Sequence, residues 1–128
     1  MYFPPVGGAR AKGGGNNILY CLTWQQSKIF AFDLDFNLLY NNKFILDICW
    51  GLTTDGTHFI ISNGTNNIYW ISLNQYIVKI IKTNYNKINA LTYFNGFIYA
   101  NIYQSNIIIK IDTQNGQIIK KSGYDIYY

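Results

Sequence analysis

Phe97-Ile98-Tyr99-Ala100, then Asn106-Ile107-Ile108-Ile109-Lys110-Ile111-Asp112, then Gln117-Ile118-Ile119 is the stretch that decides the fold. Short runs rich in Ile, Tyr and Phe, broken by Asn, Gly, Gln and Asp, read as strands joined by turns. The same unit occurs twice upstream. Phe59-Ile60-Ile61-Ser62 leads to Asn67-Ile68-Tyr69-Trp70-Ile71-Ser72 and Tyr76-Ile77-Val78, and Ile18-Leu19-Tyr20-Cys21 leads to Lys28-Ile29-Phe30-Ala31-Phe32-Asp33 and Asn37-Leu38-Leu39. A further strand precedes each of the last two units, at Cys49-Trp50-Gly51-Leu52-Thr53 and Ala90-Leu91-Thr92-Tyr93-Phe94. The period is about 40 residues, the length of one four-stranded propeller blade. Asp55-Gly56, Asn63-Gly64, Asn95-Gly96 and Asn115-Gly116 favour tight turns, and no capped, helix-length periodic segment is present. The expected fold is all-β, a partial β-propeller of about three four-stranded antiparallel blades. Closed propellers typically have four to eight blades, so the sequence reads as part of one. An independent sandwich of roughly ten strands is the alternative, and the repeat period argues against it.

The chain has 128 residues, enough for one domain with a core. It is 49% hydrophobic and only 12% charged. Isoleucine and asparagine are over-used, at roughly one residue in six and one in eight; with Tyr and Lys they share AT-rich codons, so Asn41-Asn42 and Asn66-Asn67 read as polar turn filler. The net charge is +4, carried by scattered lysines with no basic stripe, so no nucleic-acid partner is expected. No apolar run reaches the roughly 18 residues of a membrane span. The N-terminus lacks the charged and apolar regions of a signal peptide.

Residues 1–17 hold both prolines and end near Gly13-Gly14-Gly15. Such a segment offers little apolar surface to offset its ordering entropy. It is expected to be a flexible leader, with the propeller domain over residues 18–128. The glycine run lacks the Lys-Ser/Thr and helix of a phosphate cradle. Two cysteines, Cys21 and Cys49, make neither a disulfide framework nor a metal site; each sits in an apolar strand pattern and reads as a small buried hydrophobe. No metal or cofactor is expected.

All six acidic residues are aspartates: Asp33, Asp35, Asp47, Asp55, Asp112 and Asp125. Asp55 and Asp112 stand in turn motifs. Asp33 and Asp35 alternate along an apparent strand, a pair best read as a solvent-facing strand end, since catalytic carboxylates usually come from separate elements. His58, the lone histidine, is expected to be exposed, and Trp70 to belong to the core.

The order of several motifs resembles the propeller-type (plant and bacterial) glutaminyl cyclases. Leu22-Thr23-Trp24 followed by Phe30-Ala31-Phe32-Asp33-Leu34-Asp35 is similar to that family's "LTW…VYDLD" blade. Trp50-Gly51-Leu52-Thr53-Thr54-Asp55-Gly56 is nearly its "WGLTTDG", Ala100-Asn101-Ile102-Tyr103-Gln104-Ser105 stands for "ANVWQT", and Ile111-Asp112-Thr113-Gln114-Asn115-Gly116 for "IDPxTG". Ser62-Asn63-Gly64-Thr65 and Ile88-Asn89-Ala90-Leu91-Thr92 stand where the family has "SDGS" and "LNELE", with acids lost at Asn63, Ala90 and Thr92.

The resemblance implies a five-bladed propeller that closes an N-terminal glutamine of a peptide or protein into pyroglutamate and releases ammonia. It implies a pocket of aromatics completed by a glutamate, an asparagine and a lysine. Trp24, Trp50 and Tyr103 fall on the aromatics and Asn89 on the asparagine, as substrate-binding residues. The glutamate's "EGLT" motif would lie near Arg10 and is absent, as are the family's first blade and its lysine-bearing later blade. No catalytic residue is therefore assigned.

The chemistry is consistent with such a set. An apolar pocket holds the α-amine against the side-chain carboxamide, aromatic walls exclude water, an asparagine can bind the amide or developing oxyanion, and a general acid must protonate the departing ammonia. Two function classes follow: a glutaminyl-peptide cyclotransferase, or a non-catalytic propeller scaffold or protein-binding module. Loss of the glutamate favours the second, and retention of the aromatic set favours the first. Asn63-Gly64-Thr65 is a glycosylation sequon, which would suit a secretory protein.

Overall fold

A computed structural model describes residues 5–13 and 16–123, all in strands and connecting turns, with side chains from residue 17 onward. Among the described residues, twelve strands form three four-stranded antiparallel meanders. The first contains β1 (Pro5–Gly13), β2 (Asn16–Thr23), β3 (Lys28–Phe32) and β4 (Leu38–Lys43). The second contains β5 (Gly51–Thr54), β6 (His58–Ser62), β7 (Asn67–Ser72) and β8 (Ile77–Lys82). The third contains β9 (Ile88–Phe94), β10 (Phe97–Ile102), β11 (Ile107–Asp112) and β12 (Ile118–Gly123). The first strands β1, β5 and β9 lie side by side, so the sheets are successive propeller blades. A sandwich would have gathered the strands into two sheets.

The middle blade is buried on both faces. Phe59, Ile61 and Ile71 pack with Tyr20, Leu22, Ile29 and Ala31 of the first blade. Ile60, Ile68, Trp70 and Ile81 pack with Ile98, Ala100, Ile109 and Ile111 of the third. This explains the unbroken apolar run Phe59-Ile60-Ile61 in β6, whereas β10 alternates: Ile98 and Ala100 point inward and Tyr99 is exposed. Trp70 is core, as expected, and Cys49 is buried while Cys21 is half-buried. Each buried Ile or Phe contributes about 1.5–3 kcal/mol through removal from water.

Two expectations are corrected. The presumed flexible leader supplies a strand: β1 pairs with β2 from Gly13↔Asn16 to Pro5↔Thr23, as the inner strand of the first blade. A backbone ladder needs no apolar side chains, so a glycine-rich segment can form one. Pro5 stands at the strand's first position, where its missing N–H costs least.

Asp33 and Asp35 do not alternate along a strand, because β3 ends at Phe32. Asp33 Oδ1 instead accepts the N–H groups of Asp35 and Asn37, each at 2.9 Å, and forms a turn. The same device recurs where β7 meets β8, with Ser72 Oγ accepting Tyr76 N–H at 2.9 Å, and where β11 meets β12, with Asp112 Oδ1 accepting Gln114 N–H at 2.8 Å.

Candidate functional site

Antiparallel pairing sends the β2–β3, β6–β7 and β10–β11 loops to the same end as the connections that enter β5 and β9. Gly51 opposes Ser62, and Ile88 opposes Ile102. Backbone hydrogen bonds within and between blades hold these loops together. Cys49 N–H donates to the Trp24 carbonyl at 3.2 Å, Ile88 N–H to Thr65 O at 3.3 Å, and Tyr103 N–H to Lys87 O at 2.9 Å. Ser27, Lys87 and Gln104 adopt left-handed backbone here, with φ of 52°, 60° and 59°. Non-glycine residues persist in that region only where surrounding contacts over-determine them.

All four candidate residues belong to this end. Trp24 follows β2 directly and is exposed. Trp50 precedes β5 and donates its N–H to the Ser62 carbonyl at 2.8 Å. Its ring meets that of Tyr103 edge-to-face, with centroids 5.1 Å apart and planes at 69°, a favourable aromatic arrangement. Asn89, the second residue of β9, is half-buried. Trp50 and Tyr103 are thus in contact across two blades. Trp24 is tied to Trp50's neighbour Cys49, and Asn89 to the end of β6, through Ser62 Oγ donating to the Asn89 carbonyl.

Three residues outside the expected set shape this end. Gly64 has φ +82°, and a β-carbon there would lie 2.6 Å from Trp50 Cε2. Ser62 and Asn101 bond the backbone of Asn89 and Ala90. The visible signal for Gly64 is the Asn-Gly turn; Ser62 and Asn101 carry none in so asparagine-rich a chain.

No aspartate among the described residues is hydrogen-bonded to the four candidates. Asp55 is engaged at the opposite end, where its Oδ2 lies 3.0 Å from His58 Nδ1. His58 is half-buried there rather than exposed. Burial raises the Asp55 pKa, but bonds from the Thr57 N–H, the His58 ring and the His58 N–H outweigh it and hold the carboxyl below its ordinary value. No group of His, Cys and Asp among the described residues could hold a metal ion.

Residues 13–125 match the glutamine cyclotransferase family. The chain belongs to that family. A curated relative, a glutaminyl-peptide cyclotransferase of Arabidopsis thaliana, is 27% identical over 108 residues, covering 79% of this chain and 34% of the relative. The glutaminyl cyclase of Myxococcus xanthus superposes with a TM-score of 0.75 at 24% identity, covering 90% of this chain and 50% of that one. Saccharomyces cerevisiae Sqt1 superposes with a TM-score of 0.65 at 10% identity, over 94% of this chain and 36% of its own, a likeness of fold alone. The chain therefore spans half or less of the length of these relatives.

Proposed function

We propose that this chain contributes the substrate-binding wall of a glutaminyl-peptide cyclotransferase. The observation that carries the reading is the Trp50–Tyr103 contact between blades, at the end that also holds Trp24 and Asn89. In the reaction, the α-nitrogen of an N-terminal glutamine attacks its own side-chain carboxamide carbon. The new C–N bond closes the ring, the old one breaks, and a proton moves from the attacking to the departing nitrogen as ammonia leaves. Trp24, Trp50 and Tyr103 would fold the short side chain back on the amine and shield it from water. Asn89 would bind the carboxamide or the negative charge that builds on its oxygen.

The chain contains no glutamate, so the proton-transfer group is not assigned to it. That absence favours a second reading, in which the blades bind Gln-initiated peptides without converting them. Titration of the chain with a Gln-initiated dipeptide, followed by tryptophan fluorescence and ammonia release, tests both. Weak binding that discriminates against an Asn-initiated dipeptide and is lost in Trp50→Ala supports the site, with turnover no faster than buffer. Trp50-dependent ammonia release would show that another group moves the proton. Absence of any discrimination overturns the site assignment.

A further inference from the structure

The start of β9 contains a β-bulge. Ala100 pairs with Leu91 and Ile102 with Ile88, so Asn89 and Ala90 together oppose the single residue Asn101. The burial pattern shows the extra residue: Ile88 and Leu91 both face the core although they are three apart. Bulges break a ladder locally and re-aim side chains. At that break both polar atoms of the peptide group between Asn89 and Ala90 are taken by side chains. Its carbonyl accepts the hydroxyl of Ser62, from the last residue of β6. Its N–H donates to Asn101 Oδ1 at 2.7 Å. Gly51 lies against the same carbonyl, and a β-carbon there would collide with it.

We infer that Ser62 and Asn101 are positioning residues that clamp the Asn89–Ala90 peptide and so aim the Asn89 carboxamide. The inference rests on the proposed role of Asn89 in binding a glutamine side chain, but the clamp itself is a property of the unliganded chain. The clamped peptide plane, with the preceding Ile88 held in register against Ile102, restricts ψ of Asn89 and so the direction of its Cα–Cβ bond. A site that must hold a small amide within a few tenths of an ångström needs such support. Ser62 comes from the neighbouring blade, so the clamp also sets Asn89 relative to Trp50, whose N–H is bonded to the carbonyl of the same serine.

The test compares Asn101→Leu, which removes the acceptor, with Asn101→Asp, which restores one, and with Ser62→Ala. The side-chain amide resonances of Asn89, assigned by their loss in Asn89→Ala, are followed by ¹⁵N NMR without ligand. They should shift or broaden in Asn101→Leu and Ser62→Ala and stay near their wild-type positions in Asn101→Asp. The backbone resonance of Gly56, at the far end, serves as the control for global change. Affinity for a Gln-initiated dipeptide should fall about tenfold in the first two variants, as expected for loss of one well-placed hydrogen bond to the ligand. Unchanged Asn89 resonances in both Asn101→Leu and Ser62→Ala would overturn the clamp. So would undiminished dipeptide affinity in both. If the wild-type chain binds no dipeptide while the resonances respond as described, the clamp stands and the functional reading fails. Should Asn101→Leu not fold, Ser62→Ala against Asn101→Asp decides the question by the same resonances.

Discussion

The indole of Trp50 fills the space that a β-carbon on Gly64 would require. Three indole atoms would lie within 2.9 Å of such a carbon, and Gly64 itself has φ +82°. Gly64→Ala should therefore strain the backbone and displace the ring at once. A destabilisation of about 1–3 kcal/mol is expected in denaturant unfolding. It should come with a changed tryptophan emission of the native state, because Trp50 would lose its edge-to-face contact with Tyr103. An Ala variant with wild-type stability and emission would show that the turn relaxes without moving the ring.

The two-sided burial of the middle blade gives a contrast between repeat-equivalent positions. Ile61 of β6 is fully buried against the first blade, whereas its equivalent Tyr99 of β10 points outward and is 37% exposed beside the Lys110 ammonium. Ile61→Ala should cost about 2–5 kcal/mol. Tyr99→Ala should cost less than about 1 kcal/mol, limited to an exposed cation–π contact and partial burial. Equal losses by thermal unfolding would contradict the assignment of faces.

These contrasts also show which features were legible in the sequence. The blade period was readable because the strand–turn–strand unit recurs, punctuated by turns such as Asp55-Gly56, Asn95-Gly96 and Asn115-Gly116, and because strand runs are rich in isoleucine. β1 was not readable. Its hydrogen bonds belong to the backbone, and a Pro/Gly-rich run leaves no side-chain period to read. Asp33 and Asp35 were misplaced because period-2 spacing continues past Phe32, where the strand ends in a turn. Of the site, Trp50 and Tyr103 could be paired only through the ordered motifs of the family, since six strands, β5 to β10, separate them in the sequence. The Asn89 bulge left a faint trace in the three-residue spacing of Ile88 and Leu91. The partners of that bulge left none, because one more asparagine and one more serine are unremarkable in this composition.

Thiol reactivity should be low in the folded state. Burial, assisted by the nearby Asp47 charge, pushes the Cys49 thiol up to about 12, and burial also raises Cys21. The thiolate is the reactive form. Both cysteines should therefore label slowly with an aromatic disulfide at pH 8 and rapidly after unfolding in denaturant. Fast native labelling of Cys49 would mean that the loop carrying it opens readily.

Phe36 has φ +63° in the turn from β3 to β4, where the equivalent turn between β11 and β12 places Gly116 at +74°. A left-handed non-glycine residue costs about 1–2 kcal/mol, and Phe36 recovers little by burial because its side chain is 75% exposed. Phe36→Gly should thus stabilise the chain by about 0.5–1 kcal/mol after the added entropy of the unfolded glycine. A lower unfolding midpoint for Phe36→Gly would show that the ring makes contacts that outweigh the strain.

The Asp55 turn predicts how stability responds to acid. The bonds from Thr57 and His58 hold the folded-state carboxyl below its unfolded value, despite the opposing effect of burial. A group with a depressed folded pKa contributes stability that is fully present above the unfolded value, about 3.9 for aspartate, and is lost as pH falls through the folded value. Wild type should therefore lose this contribution only below about pH 4. In Asp55→Ala that part of the pH dependence should vanish. The variant should be less stable than wild type at pH 7, and the gap should narrow steadily towards pH 2–3. Chemical denaturation across this range measures it directly. A gap that stays constant down to pH 2 would mean that Asp55 supports the turn equally well when protonated, through its shape and not its charge.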